Sequence, residues 1–198
     1  MSNSPRPRVE VKTLPPKPIK RSKYRNAIKF LTVDFQDRCA YSMQHTERAG
    51  KLEVDHFDPR LKKNLIQPFD NLLPASRHCN GIKSNTWPNR EEQKAGCRFL
   101  HPGKETDYGV HIFEDAKTHR LIGVTPAGRW HIVMCGLNAP PLIKEREKRS
   151  RYHRQLEQKP IQAKAKAKTK PDALVHVIKS MRSEVDLMIP PIKFFGEK

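Results

Sequence analysis

No stretch of this 198-residue chain approaches eighteen consecutive apolar residues, so a membrane-spanning helix is not expected. The N-terminus is basic and proline-rich and lacks the apolar segment of a secretory signal, so no secretory leader is expected either. Cysteine is scarce. Cys39, Cys79, Cys97 and Cys135 are too few and too scattered to suggest a disulfide framework, and a reducing, cytoplasmic setting is the expectation. Hydrophobic residues reach only 36% against 30% charged, with seventeen prolines, so part of the chain is expected to lie outside any core. Acidic residues are also short, 21 against 39 Lys and Arg, which leaves a formal charge of +18.

Where that charge lies says more than its size. Residues 1–29 carry nine bases and one acid, and residues 142–170 carry eleven bases and three acids, so each block is +8. Residues 171–198 sum to zero and residues 30–141 to +2. A nearly neutral core between two cationic arms favours a polyanionic partner, nucleic acid above all. Phosphate contacts would then supply much of the affinity and make it salt-sensitive.

The hydrophobic pattern predicts an α+β chain. Residues 1–21 read as a basic, proline-rich arm. Helical spacing at Tyr24, Ile28, Leu31 and Phe35 predicts a helix over 22–37. A turn or hairpin from Cys39 leads into a short strand, Leu52-Glu53-Val54, that Asp55 to Pro59 ends. A loop covers 60–70, and a helix is expected over 77–84. Strands are expected at Val110 to Phe113 and Leu121 to Val124, then a turn at Pro126-Ala127-Gly128 and a further apolar run from Trp130 to Met134. A charged helix follows from about Pro141 to Gln158. The tract AKAKAKTK, residues 163–170, belongs to a basic linker over 151–170. An amphipathic helix from Pro171 to Asp186 and an apolar tail either fold back on the core or dock on another chain.

The chemistry is concentrated in residues 52–85. A one-metal phosphodiesterase needs hard oxygen ligands with open positions for water and phosphate. It also needs a general base and a group that fixes the tautomer of that base. Asp55 supplies a carboxylate at a strand end, with the His56 imidazole beside it. Asn80, on the expected helix, supplies a second hard oxygen. Asn71 can orient the histidine, and Lys83, one helical turn from Asn80, can reach a phosphate.

The order Asp55-His56, Asn71, then Cys79-Asn80-x-x-Lys83 resembles the HNH nuclease motif, in the variant whose third letter is Asn. The motif spans roughly residues 38–88. The resemblance implies a ββα-metal core, a treble-clef-like hairpin and helix around a metal, within a nuclease domain over 22–150. It implies His56 as general base, Asp55 and Asn80 as metal ligands, and Asn71 positioning the base or its loop. Oxygen ligands suit Mg²⁺, with Mn²⁺ able to substitute. Many HNH proteins hold a structural zinc on two Cys-x-x-Cys knuckles. Here these read Cys39-Ala40-Tyr41-Ser42 and Ser76-Arg77-His78-Cys79, so a four-cysteine site is not available and structural zinc is not expected. More loosely, Arg38-Cys39-Ala40-Tyr41, His56-Phe57-x-Pro59, Trp87-Pro88 and Gly136-Leu137-Asn138 are similar to stand-alone HNH proteins of bacterial anti-phage systems, retron- and Septu-type partners included. There the nuclease works beside an ATPase or sensor protein.

Candidate nucleic-acid contacts are Arg60, Lys62 and Lys63 in the loop after the base, and His78 on the expected metal helix. Lys144, Arg146, Lys148, Arg149 and Arg151 join them on a helix charged nearly all round, which could lie along a duplex. The expected function is metal-dependent hydrolysis of DNA phosphodiester bonds. Two other classes share the composition: an HNH-fold DNA clamp or scaffold without chemistry, and a basic RNA-binding protein.

Overall fold

A computed structural model of the chain describes residues 18–104, 109–165, 171–191 and 194–196. Most of the expected N-terminal arm and the basic tract 166–170 lie outside the described residues. The architecture is mixed α+β, with three two-stranded antiparallel sheets and several helices. Among the described residues, no helix is long and apolar enough to cross a membrane.

Strand β1 (Ile19–Lys20) leads into a 3-10 helix over Arg21–Ala27 and then α1 (Ile28–Asp34). The single helix expected over 22–37 is thus two consecutive turns of different pitch. A short α2 (Thr46–Ala49) precedes β2 (Glu53–His56). A 3-10 helix over Pro59–Lys63, strand β3 (Ile66–Gln67) and a further 3-10 turn over Phe69–Asn71 fill what the sequence suggests is loop. Strand β4 (Leu72–Ala75) runs antiparallel to β2, and α3 (Arg77–Lys83) follows at once. Ser76 starts α3 by accepting a hydrogen bond from the Cys79 amide, so the helix begins within one residue of the strand.

All four residues of β4 are buried, because a different layer covers each face. Leu72 joins Ala27 and Leu31 of the N-terminal turns, while Leu73 and Ala75 join Phe35, Cys39, Tyr41, Cys79 and Phe99 in the main core. That core continues into the second half of the chain through Leu100, Ile112, Leu121, Ile132 and Leu137.

The second half opens with α4 (Arg90–Lys94), held by an Asn89–Glu92 capping box. Strands β5 (Ile112–Glu114) and β6 (Leu121–Gly123) form a hairpin. The apolar run at 130–134 is not a strand, and Pro126-Ala127-Gly128 is not a turn. Both belong to α5 (Pro126–Met134). Thr125 caps it by accepting from the Gly128 amide, and Pro126 stands at the first helical position, where a missing N–H costs nothing. Burial of Ala127, Gly128, His131 and Ile132 shows helical periodicity. Gly123 and Gly128 let α5 lie directly on the hairpin, since a Cβ at either would run into backbone.

Helix α6 (Pro140–Ala165) continues about two turns beyond its expected end, across Pro160 and into the Gln162-Ala163-Lys164-Ala165 run, whose residues favour helix, so it takes in most of the expected linker over 151–170. Helix α7 (Pro171–Asp186) packs on α6, and the tail folds back on the core. Met188 and Ile189 are buried. Arg38 donates to the Met188 carbonyl at 2.8 Å, Arg48 pairs with Glu184, and Phe194 forms a parallel bridge with Glu114.

Candidate functional site

The two strands β2 and β4 with α3 make a ββα unit, and its alternation separates Asp55 from His56. In an antiparallel pair, residues opposite each other share a face. Asp55 is opposite Leu73 and turns towards the main core and α3. His56 is opposite Leu72 and turns towards the N-terminal turns, where its ring lies 4.7 Å from that of Tyr24.

Asp55 is engaged on one oxygen. Its Oδ2 accepts from the Tyr41 hydroxyl at 2.5 Å and pairs with Lys83 Nζ at 2.8 Å. Burial, and then the Asp55 charge, push the Tyr41 hydroxyl well above its ordinary pKa, so it stays a donor. Lys83 also donates to the His56 carbonyl at 2.8 Å. Fully buried and committed to these two partners, Lys83 does not reach a phosphate as its position in the motif suggests.

The tautomer of His56 follows from its neighbours. Gln67, a buried residue of β3, donates its amide N–H to the Asn64 carbonyl and, at 3.5 Å, to the Lys62 carbonyl. Its Oε1 therefore faces His56 Nε2, at 2.8 Å, as an acceptor. Nε2 must carry the proton, and Nδ1 is left with the lone pair. Burial lowers the His56 pKa; the hydrogen bond to Gln67 opposes that shift, and the charges of Lys62 and Lys83 add to it. Gln67 is thus the orienting residue, a role the motif assigns to Asn71. Nothing in its sequence context marks it, because β3 is two residues long.

Asn71 acts on the loop instead. Its Oδ1 accepts from the Asp58 amide at 2.8 Å, its Nδ2 donates to the Asp58 carbonyl at 3.1 Å, and its own carbonyl accepts from the Phe57 amide. These three bonds fix the chain immediately after His56.

Asn80 points away from His56. Its Nδ2 donates to Glu53 Oε2 at 2.7 Å, which leaves its Oδ1 unpartnered among the described residues. It lines a groove of about 650 Å³ with Glu53, Val54, Arg25, Lys51 and Arg77. His56 lines a separate cleft of about 710 Å³, and Tyr24 contributes to both. The structure thus joins Asp55 to Lys83 and Asn80 to Glu53, but does not gather the motif's four residues around one point.

Asp55 and Asn80 carry the hard oxygens that Mg²⁺ prefers, on the adjoining β2 and α3, but the Asp55 carboxylate is sealed against Lys83 and lines neither cleft, so in this arrangement it does not offer an ion an open, hydrated position. Among the described residues, no group of three or more His, Cys, Asp or Glu could hold a metal. At the knuckle positions, Cys39 and Cys79 are buried hydrogen-bond partners, with Ser42 N–H on the Cys39 sulfur at 3.5 Å.

The expected cationic contacts divide in two. Arg146 and Arg149 are buried and cannot lie along a duplex. Arg149 Nη2 donates to both Glu114 oxygens, at 2.6 and 2.7 Å, and Arg146 donates to the carbonyls of His119 and Leu137. Their helix is a core element on that face, where one ion pair and hydrogen bonds to carbonyls satisfy the buried guanidinium groups beside the buried Leu142. Lys144 and Arg151 on the other face are exposed, and Lys148 pairs with Glu184 at 3.1 Å. Arg60 is exposed, pairs with Asp58 at 2.7 Å and lies over the Trp87 ring. Lys63 is exposed, and Lys62 reaches Asn85 at the edge of the His56 cleft. His78 touches the Gly136 carbonyl. Comparison with known protein families, curated proteins and solved structures finds no match for the chain.

Proposed function

We propose that the chain is a metal-dependent HNH-type endonuclease that hydrolyses DNA phosphodiester bonds, with β2, β4 and α3 as its ββα-metal core. The observation that carries this reading is the locked imidazole. Gln67 fixes the proton of His56 on Nε2, so Nδ1 is a free base. Its lowered pKa keeps it neutral at physiological pH. The free nitrogen belongs to a ring that lines a cleft with Lys20, Arg21 and Lys62, where a phosphate can be held beside it.

In this reading His56 Nδ1 takes a proton from the attacking water. Gln67 holds the ring, and Asn71 holds the loop that follows it. Asp55 and Asn80 would hold Mg²⁺, or Mn²⁺ in its place, which requires Asp55 to exchange Lys83 for the ion. Such an ion, when bound, supplies charge neutralisation at the scissile phosphate and the leaving oxygen. The HNH resemblance adds 5′-phosphate and 3′-hydroxyl products, one strand cut per site, and a setting in cytoplasmic anti-phage defence beside an ATPase or sensor protein.

A second reading, a DNA clamp without chemistry, is favoured by one observation. The Lys83 ammonium already neutralises Asp55, as a structural ion pair would. Cleavage of supercoiled plasmid with Mg²⁺, Mn²⁺ or EDTA separates the two. Metal-dependent conversion to open circles, lost in His56→Ala, is the expected result. No cleavage under any metal, with DNA binding intact in both proteins, would sink the nuclease reading in favour of the clamp.

A further inference from the structure

The cleft onto which His56 opens is not built like a duplex groove. Three of its lining residues are cations, Lys20 of β1, Arg21 after it and Lys62 of the 3-10 helix after the base. Three more, Tyr24, Leu65 and Ile66, are aromatic or apolar. Leu65, just before β3, is 81% exposed and Ile66, its first residue, 50% exposed, where large apolar side chains have no packing reason to be. Backbone phosphates of a duplex would need only the cations. Apolar and aromatic surface beside cations suits the face of an unstacked base with its phosphate. The volume, about 710 Å³, lies within the range of small-ligand pockets and exceeds what a single side chain would fill.

We infer that this cleft receives one unpaired nucleotide of the substrate, its base against Tyr24, Leu65 and Ile66 and its phosphate on Arg21, Lys20 and Lys62. The preferred substrate is therefore single-stranded DNA, or duplex DNA with an unpaired segment, rather than continuous duplex. The substrate preference rests on the nuclease reading; binding of an unpaired nucleotide does not. The chain's own residues 1–17 are a poor occupant, since four Lys and Arg against one acid would meet lining charges of the same sign.

The test uses the full chain and three fluorescent 40-nucleotide probes of one sequence: a single strand, a full duplex, and a duplex with a central mismatched stretch. Affinity is read by anisotropy in EDTA, and cleavage is read with Mg²⁺. Leu65→Asp alters the apolar lining at an exposed position. Val33→Asp, at a residue 69% exposed on α1, makes the same change of charge away from the cleft. The expected result is at least about tenfold tighter binding of the single strand and the mismatched duplex, a preference lost in Leu65→Asp and kept in Val33→Asp. Equal affinity for all three probes would overturn the inference. So would a Leu65→Asp protein that binds like Val33→Asp, whether the cleft is then filled by the chain itself or by a second copy. The two proposals fail separately. A retained binding preference without metal-dependent cleavage removes the nuclease and supports the cleft assignment. Equal cleavage of all three probes with no binding preference supports the nuclease and removes the cleft assignment.

Discussion

Lys83 Nζ lies 2.8 Å from Asp55 Oδ2, with both side chains sealed from solvent, so each charge depends on the other. Replacing Lys83 with Met would leave a buried carboxylate without its partner, and the expected loss is about 3–5 kcal/mol in denaturant unfolding. If Asp55 is also an ion ligand, millimolar Mg²⁺ should restore part of the lost stability in Lys83→Met and none in Lys83→Met/Asp55→Asn. Equal response of both proteins to Mg²⁺ would remove Asp55 from the ligand set.

Gln67 is tested by a substitution that keeps its volume. Gln67→Leu removes the acceptor that fixes the His56 proton on Nε2. Single-turnover cleavage should fall by roughly 10–100-fold, the usual effect of losing a partner that orients a catalytic ligand. DNA affinity should change little. His56→Ala should cost more, about 10²–10⁴-fold, as expected for loss of a general base.

The acid limb of cleavage against pH should lie below the ordinary histidine value of 6.5. Burial and the nearby charges of Lys62 and Lys83 disfavour the imidazolium, so the base stays neutral to lower pH. A cation held at Asp55 would shift it in the same direction. The sign for stability is that of a depressed histidine. Nothing is lost above the unfolded value, and stability falls as pH drops through it towards the lower folded value. Lys62→Gln should move the acid limb upwards.

On α6, position decides the outcome for two neighbouring arginines. Arg149→Ala breaks the buried pair with Glu114 and the bonds to the Ile189 and Pro190 carbonyls. It should destabilise by about 3–5 kcal/mol. Arg151 is exposed, so Arg151→Ala should leave the melting temperature in place. It should reduce the slope of log affinity against log salt by about one if Arg151 meets a phosphate.

The local elements could be read from the chain where a periodic pattern and its terminal signals agree. Helix α7 has the bounds that the run of Leu174, Val177, Ile178, Met181 and Val185 suggests, and the β5–β6 hairpin is where its apolar runs lie. Helix α5 is not legible in the sequence, because Pro-Ala-Gly has the composition of a turn and only the preceding Thr125, as a cap, marks it as a helix start. The burial of Lys83, Arg146 and Arg149 was hidden for another reason. Their partners Asp55, His119 and Glu114 lie 27 or more residues away along the chain, and charge alone predicts exposure. Gln67 was missed because its significance comes from Asn64 and His56 meeting on either side of it, which no spacing rule encodes.

The tail that folds back has a consequence for biosynthesis. Arg38 is bonded to the carbonyl of a residue 150 positions later, and Ile189 is part of the buried surface. Contacts of such sequence separation make the closing of the core slow, since a long loop must be ordered first. A nascent chain cannot make them until residues 188 and 189 have left the ribosome, and a ribosome stalled before residue 188 holds a polypeptide whose Arg38 lacks its carbonyl partner.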